Sequence, residues 1–114
     1  MAAIYDFTLD AGTDTDVTFT YNDSNGNPIN LTGYSANMEL KSAPGGSTAL
    51  TLSTANGKIA LGGAAGTVTV SFSDTDSSSL TLPTYAYDIE LTDGSGLVTR
   101  LVQGTITVSP EVTT

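Results

Sequence analysis

The alternation between Tyr85 and Val108 restricts this chain more than any other feature. Tyr85, Tyr87, Ile89 and Leu91 fall on one side of a period of two, and Ala86, Asp88, Glu90 and Thr92 fall on the other. That period belongs to a strand with one buried and one wet face. Asp93-Gly94-Ser95-Gly96 follows, with residues that tolerate the positive φ of a tight hairpin. A return strand runs to Val108, so the stretch reads as a long hairpin on which the rest of the chain must pack.

The remaining segments are short strands. Ile4–Leu9 places Tyr5, Phe7 and Leu9 on one face, and Asp16–Tyr21 does the same with Val17, Phe19 and Tyr21. The dense turn signal Asn22–Pro28 precedes a strand with Tyr34, Ala36, Met38 and Leu40 inward. Pro44-Gly45-Gly46 ends it. Leu50 and Leu52, then Ile59 and Leu61, mark two more strands, and the glycine loop 62–66 leads to Val68, Val70 and Phe72. Residues 74–80 form the one helical candidate, a single turn capped by Ser73 or Asp74 and stopped by Pro83.

The return strand carries a conflict. Leu97 and Leu101 share one parity, whereas Val98, Val102, Ile106 and Val108 share the other. One regular strand cannot bury both sets, which predicts a bulge or bend near Gln103-Gly104. Seven to eight short strands with one helical turn predict an all-β, antiparallel, immunoglobulin-like sandwich, a single domain over residues 1–114. Such sandwiches place a Tyr after the helical corner, bonded back to its backbone, and Tyr85 or Tyr87 fits that position.

Twelve acids against three bases give a net charge of −9. Nucleic acid needs clustered Lys and Arg, and Lys41, Lys58 and Arg100 are scattered, so neither nucleic acid nor an anionic membrane is an expected partner. No basic-then-apolar leader and no apolar run of roughly 20 residues appears, so synthesis in the cytoplasm without export is expected.

His and Cys are absent from the sequence, which removes the commonest catalytic bases, nucleophiles and transition-metal ligands. Carboxylate pairs remain at Asp14/Asp16, Asp74/Asp76 and Asp88/Glu90. A glycosidase needs two carboxyls across a cleft, and nothing in the pattern marks one, so no catalytic residue and no cofactor is expected. Asp14, Asp16, Asp23 and Asn25 offer oxygen ligands for calcium, which leaves a calcium-stabilised carbohydrate-binding module as an alternative. The same residue types serve turns, and the EF-hand spacing fails at Tyr21 and Thr32.

The stretch Asn27–Lys41, NPINLTGYSANMELK, resembles a "G-x-P-x-(D/N)-L-T-G-Y" hairpin of phage virion proteins, among them the immunoglobulin-like N-terminal domain of baseplate upper proteins. Tyr87–Leu91, Asp93–Gly96, Arg100–Gly104 and Val108–Thr113 look like the end of the same domain, and Asp6–Leu9 with Gly12 looks like its start. The resemblance implies a virion subunit that meets other virion proteins in a symmetric assembly. Baseplate upper proteins continue into long coiled segments and this sequence runs to Thr114, so a tail or baseplate adaptor or fibre-attachment protein is expected, with a capsid decoration or head–tail connector protein as the alternative. Contacts are expected from Ile4 and Asp6 on the first strand and from Glu111 and Val112 in the tail.

Overall fold

Alternation becomes two facing sheets in the computed structural model, which describes residues 3–43 and 45–109. Its strands are β1 (Ala3–Ile4), β2 (Phe7–Asp10), β3 (Thr15–Thr20), β4 (Ser35–Lys41), β5 (Thr48–Ser53), β6 (Ile59–Leu61), β7 (Thr67–Phe72), β8 (Thr84–Thr92) and β9 (Val98–Ser109). The larger sheet has the order β5-β4-β8-β9, with β1 and β2 beyond β9, and the smaller has the order β3-β7-β6. This partition is that of an immunoglobulin-like sandwich, with the long hairpin β8–β9 at the centre of the larger sheet.

The expected inward residues close the sandwich. Met38, Leu40, Leu52, Ile89, Leu91 and Ile106 from the larger sheet meet Val68, Val70 and Phe72 from the smaller, all buried. Tyr85 is the corner tyrosine: its hydroxyl accepts from the N–H groups of Thr81 and Leu82 at 2.8 and 2.9 Å. The helical turn is α1 (Asp74–Ser78), with Ser73 as its cap. The Ser73 hydroxyl accepts from the Asp76 N–H, and the Asp76 carboxylate accepts from the Ser73 N–H, a reciprocal capping box.

Three expectations are corrected. The first strand is broken at Tyr5–Asp6 into β1 and β2, giving nine strands among the described residues, and both pieces run parallel to β9 rather than antiparallel. The chain leaves β2 for the other sheet, so the first strand lies beside the last one instead of beside β3. Tyr5, expected in the core, is 48% exposed because it sits at that break.

The bulge lies at Leu101, not at Gln103-Gly104. Ile89 pairs with Val102 and Glu90 with Arg100, so Leu101 is the extra residue. It resets the parity between Thr99, opposite Leu91, and Val102, opposite Ile89. Gly104 answers a different need: a Cβ there would collide with the Tyr5 carbonyl oxygen. The first strand therefore passes too close over β9 for any side chain at this position.

Candidate functional site

The solvent face of the larger sheet forms an open trough of about 780 Å³ across β4, β8 and β9, with Ile4 and Asp6 at one side. Outward alternation lines up its side chains in cross-strand rows. Glu39, Asp88 and Gln103 form one row, and Asn37, Glu90 and Arg100 the next. Glu39 directly opposite Asp88 is an unfavourable like-charge pair. Neighbours neutralise it: Lys41 lies 3.7 Å from Glu39, and Arg100 lies 3.4 Å from Asp88. Thr48 and Asn37 also donate to the Glu39 carboxylate, and Arg100 reaches Gln103.

Two of the three bases thus share one face, which sequence order did not reveal, but each is spent on an adjacent acid. The Asp88 and Glu90 side chains both line this open trough. The arrangement presents rows of charged and hydrogen-bonding side chains on one open face.

The calcium candidates are drawn into turns. Asp14 Oδ1 accepts from the Asp74 N–H at 2.7 Å, capping the start of α1. Asp23 Oδ1 accepts from the N–H groups of Asn25 and Asn27 at 2.9 and 3.0 Å, an Asx-type turn. Asp16 lies exposed within β3. Asp14 and Asp16 lie at the start of β3 and Asp23 and Asn25 beyond its other end, so the four residues do not converge on one ion. Among the described residues, no three His, Cys, Asp or Glu side chains gather where they could hold a metal.

Of the expected contact residues, Ile4 is 74% exposed on the outermost strand. Asp6 does something else: its carboxylate accepts from the Thr105 N–H at 2.8 Å. The Tyr5 N–H donates to the Gln103 carbonyl, and the Tyr87 hydroxyl donates to the Tyr5 carbonyl. Asp6 is therefore a tie between β9 and the first strand. Glu111 and Val112 lie outside the described residues.

The motif that carries the resemblance is structural. Asn30 Oδ1 accepts from the N–H and hydroxyl of Thr32, Leu31 is fully buried, and the Tyr34 N–H donates to the Leu31 carbonyl. Gly33 between them has φ +84°, which only glycine adopts without strain. Asn-Leu-Thr-Gly-Tyr is a capped turn with a core plug, and it holds no reactive group. Comparison with protein-family models and with curated proteins finds no match to this chain.

Proposed function

We propose that the chain is a non-enzymatic structural subunit of a phage virion, a tail or baseplate adaptor that docks on other virion proteins. Support comes from the resemblance of Asn27–Lys41 and Tyr87–Gly104, together with a sandwich of the kind that resemblance implies. The observation that carries the docking role is the exposed Ile4 on the outermost strand, beside the half-exposed Tyr5 and above a polar trough. Exposed apolar side chains bordered by polar groups are a common form of protein contact surface. On this reading the chain is made in host cytoplasm and carried on the particle.

Purified tailed particles from the source should contain the chain in fixed ratio to the tail proteins. Recovery with tail-less heads would move it to the decoration or connector role, and recovery only as free protein would overturn the reading. Ile4→Asp should lower incorporation while leaving the melting temperature unchanged. Deleting residues 1–6 is a poorer test, since it also removes Tyr5 and Asp6, which hold the fold.

A further inference from the structure

We propose that the open edge of β3 is a second docking surface, which takes an extended, basic-flanked segment of another protein as an added strand. The inference deepens the adaptor reading and rests on it only for the identity of the partner's source. Its starting point is a topological consequence: because β2 joins β9 in the larger sheet, β3 is left without an outer neighbour in the smaller one.

The free groups can be named. The Tyr21 N–H donates to the Gly66 carbonyl, which sets the phase of the β3–β7 ladder. Thr15, Val17 and Phe19 therefore bond inward to β7, and the N–H and C=O groups of Asp16, Thr18 and Thr20 point outward. None of these outward groups has a partner among the described residues. The pairing with β7 runs without a shift from Thr15 to Thr20, so the edge is regular over six residues.

Sheet edges are ordinarily blunted by shortness, bulges, proline or capping groups. The other edges here follow that rule. Asn56 closes β5, accepting from the Ser53 N–H and donating to the Thr51 carbonyl, and a register shift opposite Leu40/Lys41 of β4 leaves Ala49 as an extra residue in β5. Strand β6 has three residues, and the β1–β2 edge is interrupted. Only β3, among the described strands, keeps a long straight edge with no cap, bulge or proline.

The edge is also held ready. Ser77, fully buried, accepts through its hydroxyl from the N–H groups of Gly12 and Thr13, which pins the turn before β3 onto α1. Val17 and Phe19 face the core side yet remain half-buried, leaving apolar surface that an added strand would cover. A preformed edge lowers the ordering cost of strand addition.

Charge selects the occupant. Strands β3 and β7 carry Asp16 and no Lys or Arg, with Asp14 and Asp74 close to one end. All three bases of the chain are paired to carboxylates elsewhere. A second copy, at −9, would bring like charge to the edge, whereas a strand with lysine or arginine opposite Asp16 would neutralise it.

The probe is a labelled synthetic peptide, Lys-Val-Thr-Val-Thr-Lys, titrated onto the full chain by fluorescence anisotropy and by amide hydrogen exchange. Binding should slow exchange at Thr18 and Thr20 and leave Val17 and Phe19, already bonded, unchanged. Thr18→Pro removes an outward N–H without touching the β3–β7 bonds and should weaken binding about tenfold or more, the scale of one lost hydrogen bond with its neighbours. Thr18→Val keeps the backbone and should bind as the parent does. Added salt should weaken the complex. Binding without protection at Thr18 and Thr20, or no binding at all, would overturn the proposal on the parent chain alone, whether or not Thr18→Pro folds. A concentration-dependent dimer that protects the same amides would overturn the basic partner in favour of a second copy. None of these outcomes depends on recovery of the chain in particles.

Discussion

The Tyr87 hydroxyl donates to the Tyr5 main-chain carbonyl, and this bond explains why the first strand breaks where it does. The register to β9 is the same on both sides of the break, Ile4 opposite Gln103 and Phe7 opposite Ile106. A continuous parallel ladder would give the Tyr5 carbonyl to the Thr105 N–H. Here Tyr87 takes that carbonyl and the Asp6 carboxylate serves Thr105 in its place. Burial first, then the nearby Asp6 and Tyr5, push the Tyr87 hydroxyl well above the ordinary tyrosine range, so it remains a donor.

Tyr87→Phe should cost about 1–3 kcal/mol, because a partly buried carbonyl loses its partner. Gly104→Ala should cost a similar amount, about 1–3 kcal/mol, by driving a methyl into the same carbonyl. Urea unfolding checks both, and the double variant should lose less than the sum because both act on one atom. Unchanged midpoints would mean that the Tyr5 break is set by something other than these two residues.

Tyr85 makes the second aromatic tie. Its hydroxyl accepts from two consecutive N–H groups at the corner after α1, those of Thr81 and Leu82. Tyr85→Phe keeps the buried ring and strands both donors, so a loss of about 1–3 kcal/mol is expected in thermal or urea unfolding.

Much of this fold was legible because its causes are local. Alternation in Tyr85–Leu91 and in Tyr34–Leu40 fixed which residues face the core, and Ser73, one of the two caps expected for the helical turn, is the cap of α1. The parity conflict around Leu97 and Val98 correctly signalled a bulge, but its position depends on the partner strand, which sequence does not show. Gly104 drew attention for its type, yet its cause is the Tyr5 backbone passing over it, a contact across 99 residues of register that leaves no local trace. The trough was hidden for the same reason: Lys41 and Arg100 become neighbours of Glu39 and Asp88 only when β4, β8 and β9 pair. Asp6 was read as a contact residue, and only the parallel pairing reveals it as a backbone acceptor.

Asn56 offers a separate check on edge protection. It bonds the Ser53 N–H, the Lys58 N–H and the Thr51 carbonyl, imitating a neighbouring strand at β5. Asn56→Ala should destabilise by about 1–2 kcal/mol and should also open a second sheet edge. Light scattering at rising concentration should then show association that the parent lacks. A variant that is less stable but no more associative would confine Asn56 to turn stabilisation.

The calcium alternative makes a different demand. Asp14 and Asp23 already satisfy backbone N–H groups, and Asp16 and Asn25 do not join either of them around one point. Adding millimolar calcium should therefore leave the melting temperature unchanged, since a cation stabilises only when it binds the folded state in preference. A rise reversed by chelator would restore the carbohydrate-module reading.

Acid should expose the Lys58–Asp76 pair, the most buried ion pair described. Lys58 Nζ lies 2.7 Å from Asp76, whose side chain is 11% exposed. Burial by itself pushes the Asp76 carboxyl up, but hydrogen bonds from Lys58 and Ser73 and the lysine charge outweigh it and hold the carboxyl below its ordinary value of 3.8. A carboxyl with a lower value in the folded chain binds its proton more readily when unfolded. Its stabilising contribution is therefore complete above pH 3.8 and is lost as pH falls through the lower folded value. Asp93 acts in the same direction: the Leu97 N–H and then the Ser95 hydroxyl hold its carboxyl down at the hairpin turn. Asp76→Asn should lower stability at neutral pH and flatten the acid limb of the curve, leaving the Asp93 part in place. Unfolding measured from pH 2 to 7 checks this, and an acid limb equally steep in both chains would assign the dependence to other carboxylates.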